Sequence, residues 1–381
     1  MLLIRGYDDI ALCVPVTEPY VRRSEHGAHW FLGLALRRLL DGSGLAKEAI
    51  DGLCVSSFTL APDTAIGFTQ HVGVSPRFLE WLPMGGACGV IALRRAARAV
   101  QAGDAGIVAC IAGDTANETS FRDLLANFST FARDAVYPYG AGGPNGSFAL
   151  ITDAYMRATG AMREDFGKLC VAQRANARRN PLALLQGELT MEQYLAARPI
   201  AEPLHLFDCV MPCAGADGFL VMPVARARAL GLGFVRVLGA IERHNAFPDD
   251  PVQSRGGWAM DRDALWAQAG IGPEDVDVVE TYDDYPVISM MQFEGLGFCA
   301  EGAAPDFVRR HSFTIDGSFP HNTGGGQLSM GQAGAAGGYL GLVEAMRLVL
   351  GAGARHALVS GFGMINYDRG LCSAACVLGA G

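Results

Sequence analysis

Within Glu280-Thr-Tyr-Asp-Asp-Tyr285 a phenol and two carboxylates follow a short apolar run, Val276-Asp-Val-Val-Glu280. Such a run predicts a buried parallel strand, and open α/β sheets take their ligands at the carboxyl ends of these strands. Tyr282 can relay a hydroxyl proton there if its pKa is lowered, and Asp283 or Asp284 can accept it. The same carboxylates also suit the N-cap of a helix over Pro286–Leu296. A second cluster is Pro320-His-Asn-Thr-Gly-Gly-Gly-Gln327, which leads through a further small-residue run into a helical stretch over Tyr339–Leu350. Three consecutive glycines, Gly325 and Gly326 among them, predict backbone that another group approaches closely. The helix start adds free N–H groups and a positive dipole end, suited to an oxygen on which negative charge develops. His321, one of 8 histidines, adjoins this loop and is the alternative base.

The elements that must position these groups occur twice. Ile50–Ser56 and Val276–Glu280 both predict buried parallel strands, and Ala92–Gly113 lines up without a gap on Leu342–Gly363. Each member of the second pair reads as a helix, an Ala-Gly stop and a strand ending in glycine. Alternating strand and helix predicts right-handed βαβ units, and two copies predict an internally duplicated α/β protein. The halves divide as 1–230 and 231–381, near the Leu-Gly-Leu-Gly after Ala229. An insertion over about 114–203, containing Tyr137-Pro-Tyr-Gly140 and a helix over Asp165–Arg179, is expected to cover a cleft, with Tyr137 and Tyr139 in its lining.

Composition limits the partners. The chain has 381 residues, 50% of them hydrophobic and 18% charged, enough for a large core. A formal charge of −9 without a basic block gives no footprint for nucleic acid. No apolar run reaches the length of a membrane span. The 10 cysteines are scattered through apolar runs and follow no leader of basic and apolar character, which predicts reduced thiols in the cytoplasm. Cys209 and Cys213 are spaced like metal ligands, but no second pair completes a site, and no metal is expected.

Several separated motifs resemble the thiolase superfamily, and more narrowly its sterol-carrier-protein-X-type branch. They are Asn176 with Asn180-Pro181, Pro203 with Asp208-Cys209 and Asp217-Gly218, Glu280–Tyr285 with Glu294-Gly-Leu-Gly-Phe-Cys299, and Asn322-Thr-Gly-Gly-Gly-Gln-Leu-Ser329. The resemblance implies a five-layer α-β-α-β-α fold of two βαβαβ halves with an inserted loop domain. It also implies a homodimer or a dimer of dimers and an acyl-coenzyme A thioester as substrate in a cleft roofed by the loop domain, with no bound cofactor.

Three chemical groups of that family are replaced. Gly86 stands at the position of the acyl-accepting cysteine, with Cys88 two residues further on. Gly331-Gln332-Ala333 replaces Gly-His-Pro, and the segment of the second cysteine reads Val359-Ser-Gly-Phe-Gly363. A chain without nucleophile and base cannot form an acyl-enzyme in the usual way. Two helix N-termini near Gly86 and Gln332, the glycine loop, Asn322 and Gly363 can still hold a thioester oxygen as it becomes an enolate. That combination suits aldol or retro-aldol chemistry. Tyr-Asp in place of the usual His-Asp resembles the side-chain-cleaving acyl-CoA aldolases of the branch, which act with a small OB-fold partner carrying a zinc ribbon. Two alternatives stand beside this one: an acyltransferase using Cys88 at a helix N-terminus, and a non-catalytic scaffold subunit.

Overall fold

A computed structural model of the chain describes residues 5–116, 129, 135–139, 143–351 and 353–381. The rest of the expected 114–203 insertion lies outside the described residues. Among those described, the strands are β1 (Ile10–Val21), β2 (Gly52–Ser56), β3 (Phe78–Trp81), β4 (Val108–Asp114), β5 (Pro199–Ala201), β6 (Leu204–His205), β7 (Ala214–Pro223), β8 (Phe234–His244), β9 (Val278–Glu280), β10 (His356–Asn366) and β11 (Arg369–Ala380). Runs without polar alternation need cover on both faces. Every position of β2, β4 and β9 is accordingly buried.

Nine strands form one mixed sheet in the order β3-β2-β4-β7-β1-β8-β11-β10-β9, while β5 and β6 pair separately. The duplication is visible in that order. β2 runs parallel to β3 and β4, and β9 runs parallel to β10. Beside β9, the place that β3 takes in the first half is held by a single parallel bridge between Val279 and His321. The halves meet where Ala11–Cys13 of β1 pairs with Phe234–Arg236 of β8. The division at 230/231 falls in the turn between the Val224–Ala229 helix and β8.

Two helices lie between the halves. Cys88–Ala102 packs on β4 and β7 and also on β10 and β11; Gly337–Leu350 packs on β9 and β10 and also on β1 and β7. Helices that touch strands so far apart in one sheet must have the sheet folded over them, which makes them the central layer. Ala28–Ser43 covers the outer face of β1, β4 and β7, and Trp258–Ala269 covers β8 and β11. The N-termini of the two central helices are in direct contact: a Cβ at Gly89 would fall 2.1 Å from the Gly338 carbonyl oxygen. Side chains also cross between the halves. Glu242 of β8 binds Arg94 and Arg95 of the first central helix at 2.9 and 2.6 Å. Asp114 accepts from Ser57, from the Phe58 and Thr59 amides, and from the Ala335 amide of the second half at 2.7 Å.

Candidate active site

Beyond β9 the chain stays against β10, where the Tyr282 amide donates to the Ser360 carbonyl at 3.0 Å. Gln292, buried on the Pro286–Gly295 helix, donates to the Tyr282 carbonyl at 2.8 Å and accepts from the Ser360 hydroxyl at 2.6 Å. These bonds fix the backbone from which Tyr282 projects. Its ring lies over Gly86, where a Cβ would fall 2.0 Å from ring atom Cε2. The phenol therefore fills the space that a side chain at position 86 would need. Gly86→Ala is expected to cost about 1–3 kcal/mol by overpacking. The check is a thermal melt, with Tyr282→Ala as the background that should relieve the cost.

The Tyr282 hydroxyl donates to Oδ2 of Asp284 at 2.6 Å, and Oδ1 of Asp284 is buried without a protein partner. Burial pushes the Asp284 carboxyl up to about 7, against the hydrogen bond from Tyr282. Burial, followed by the Asp284 charge, also raises the Tyr282 phenol well above its usual value. The condition set above, a lowered phenol pKa, is not met: burial favours a neutral phenol, hydrogen-bonded to Asp284.

Both groups line a cavity of about 550 Å³. Gly86, Gln332 and Gly363 lie in the same wall. Gly363 lets β10 pass directly under the Met84–Ala87 turn, since a Cβ there would meet the Met84 carbonyl oxygen at 2.2 Å and the Gly86 nitrogen at 2.8 Å. That turn closes through Ala87 N to Met84 O and Cys88 N to Gly85 O, so the Gly86 amide is not used in it. The rest of the lining is largely apolar, with Phe148, Ile200, Leu206, Phe207, Val210 and Phe362. Tyr285 closes one side, stacked on Phe148 at 4.3 Å and donating to Asn145 at 2.5 Å. The arrangement offers a proton relay and amide donors at the edge of a pocket for an apolar group.

Other expected residues lie elsewhere. Asp283, adjacent to Asp284, points away from the large cavity and accepts from the Gln327 amide at 2.9 Å, where burial raises it to about 6. Neither carboxylate caps the Pro286–Gly295 helix, whose N-cap residue is Tyr285. His321 bonds Thr281 at 2.7 Å and meets the Phe293 ring edge-on at 5.0 Å. Burial lowers its pKa to about 3, and it is not among the lining residues. Pairing with β9 turns it to the far face. Gly325 and Gly326 are approached by the chain itself: Cβ atoms there would fall 2.7 Å from Ala177 and 2.2 Å from Asp283. Asn322 accepts from the Thr281 amide at 2.8 Å, and with Gly326 it borders a second, far smaller cavity behind Tyr282. Cys88 is fully buried, its thiol donating to the Ala335 carbonyl at 3.1 Å and its pKa pushed up to about 12 by burial. Tyr137 and Tyr139 are not among the lining residues, and Tyr139 is 87% exposed. Of the spaced thiols, Cys209 lines the cavity and Cys213 is buried.

Duplicated halves around two central helices, with a site where their N-termini meet, define the thiolase class of fold. Residues 257–377 match the thiolase C-terminal domain-like family. The chain is 32% identical to 17-hydroxy-3-oxo-4-pregnene-20-carboxyl-CoA lyase of Mycobacterium tuberculosis, over 86% of this chain and 90% of that protein. It is 30% identical to the steroid side-chain-cleaving aldolase of Thermomonospora curvata, over 89% of each. Among solved structures it is similar to the Ltp2-ChsH2(DUF35) aldolase, with a TM-score of 0.83, 27% identity and 99% of each chain covered. The chain belongs to the thiolase superfamily, in the sterol-carrier-protein-type thiolase-like branch that includes the side-chain aldolases.

Proposed function

We infer that this protein is an acyl-CoA carbon–carbon lyase that cleaves a β-hydroxyacyl-CoA by retro-aldol reaction. The observation that carries the reading is the Tyr282 phenol, bonded to Asp284 and seated over Gly86, at the place where a thiolase holds its nucleophile. The β-hydroxyl of the substrate donates to Tyr282 Oη, and as its proton moves to the phenol the phenol's own proton passes to Asp284. The Cα–Cβ bond then breaks, Cβ leaves as an aldehyde or ketone, and the bonding electrons become the enolate of the remaining acyl-CoA. The Gly86 amide, unused by its own turn, and the Gln332 side-chain amide are the donors offered to the thioester oxygen that carries the charge, with Gly363 beside them in the lining. Returning the proton from Asp284 through Tyr282 to Cα restores the site and balances the reaction.

A concerted relay suits a phenol whose anion is disfavoured, because no free phenolate forms. The apolar walls suit a bulky acyl group, in keeping with the steroid substrates in the names of the relatives. The name of the Ltp2-ChsH2(DUF35) aldolase supports a DUF35 partner for this chain; that the partner is a small OB-fold protein with a zinc ribbon, and that the chain forms a homodimer, rest on the family resemblance alone. No helix among the described residues is long and apolar enough to cross a membrane. The test is chromatography with mass detection after mixing chain and partner with β-hydroxyacyl-CoA thioesters. One acyl-CoA and one carbonyl product per substrate are expected, and no cleavage of any thioester tried would overturn the reading.

The acyltransferase alternative requires Cys88 to act as a thiolate facing the substrate. Its thiol is held neutral and turned into the contact between the central helices. Cys88→Ala is expected to keep the cleavage rate within about twofold. The chain's intact mass should not change after incubation with propionyl-CoA; an added acyl group that disappears in Cys88→Ala would contradict this.

A further inference from the structure

Arg174, on the Arg163–Ala177 helix, lines the large cavity although the residue is only 8% exposed. Its partners are neutral: the Ser329 hydroxyl at 3.0 Å, the Gly187 carbonyl at 3.5 Å and the Phe207 ring, whose centroid is 5.8 Å away. The carboxylates of neighbouring elements are committed to other groups. Asp208 binds Tyr194 and the His205 amide, Asp283 binds the Gln327 amide, and Asp284 binds Tyr282. Among the described residues this guanidinium has no counter-ion; withdrawing such a cation from water is costly, and a cavity wall is where a ligand can supply one. Burial draws the pKa of this guanidinium down, as expected of a cation short of negative charge. Arg198, also in the lining, is exposed and stands at the rim, where solvent screens it.

We propose that Arg174 reads a carboxylate on the acyl group, so that the substrate is the mono-CoA thioester of a β-hydroxy dicarboxylic acid whose remaining chain is apolar. The proposal rests on the acyl-CoA reading above and adds a second polar anchor to a largely apolar pocket. The planar fork of the guanidinium can take a carboxylate through two parallel hydrogen bonds.

The test is calorimetric binding to the full chain of succinyl-, glutaryl- and adipyl-CoA, each against its methyl-ended counterpart, butyryl-, valeryl- and hexanoyl-CoA. At least one dicarboxylic thioester is expected to bind about tenfold tighter than its counterpart. Arg174→Met should abolish that preference and leave methyl-ended thioesters bound within about twofold, while Arg174→Lys should keep part of it. The proposal is overturned if no pair differs, if the preference survives Arg174→Met, or if the variant weakens both series alike, which would assign the cation to the phosphates of coenzyme A. The wild-type and Arg174→Lys comparisons decide the matter even if Arg174→Met does not fold. Binding and cleavage fail separately: a chain that selects a dicarboxylic thioester and cleaves none would sink the lyase reading and leave this one.

Discussion

Tyr282→Phe is expected to lower kcat for cleavage by about 10²–10⁴-fold, the usual contribution of a positioned proton-transfer group. The substitution removes the oxygen that bonds Asp284 and that is proposed to meet the substrate hydroxyl, and keeps the ring that packs over Gly86. KM should therefore change little and the melting temperature should hold. Steady-state kinetics with a β-hydroxyacyl-CoA checks this, and a rate within a factor of a few of wild type would remove the relay from the mechanism.

Asp284→Asn should fall as steeply, because an amide cannot take the proton the phenol passes on. This variant also carries a pH signature. In the wild type the base must be ionised, and burial holds Asp284 at about 7, so kcat/KM should rise with pH through that region and level off above it. An unperturbed carboxylate would place the same limb at about 3.9. Asp284→Asn should lose the limb near 7 as well as the rate. Survival of the limb in the variant would assign the base to another group, of which Asp283, raised to about 6, is the nearest in sequence.

The duplication, the parallel strands and the position of Tyr282 could be read from the amino acids. Buried parallel strands leave continuous apolar runs, and the echo of Ala92–Gly113 in Leu342–Gly363 reappears as two central helices, each followed by a strand, β4 and β10. The choice between Asp283 and Asp284 could not be read. Neighbouring residues on extended backbone face opposite ways, so only coordinates show which carboxylate enters the cavity. His321 illustrates the same limit, since its bridge to Val279 sends the ring into the phenylalanine cluster behind β9. The glycine loop signalled close approach correctly in kind. What approaches is Ala177 and Asp283, because a dense core needs the same permission that a ligand does. Arg174 lay in a helix rich in polar residues, and nothing in its spacing distinguished a cation inside the protein from one in water.

Cleavage is expected to proceed through Tyr282 and Asp284 without an acyl-enzyme. Rapid quench of a single turnover, with intact-mass measurement of the chain and quantification of both products, tests it most directly. Acyl-CoA and carbonyl product should rise together in equal amounts while the chain keeps its unmodified mass, with both products lost in Tyr282→Phe. An acyl adduct that forms and decays at the rate of turnover would contradict it.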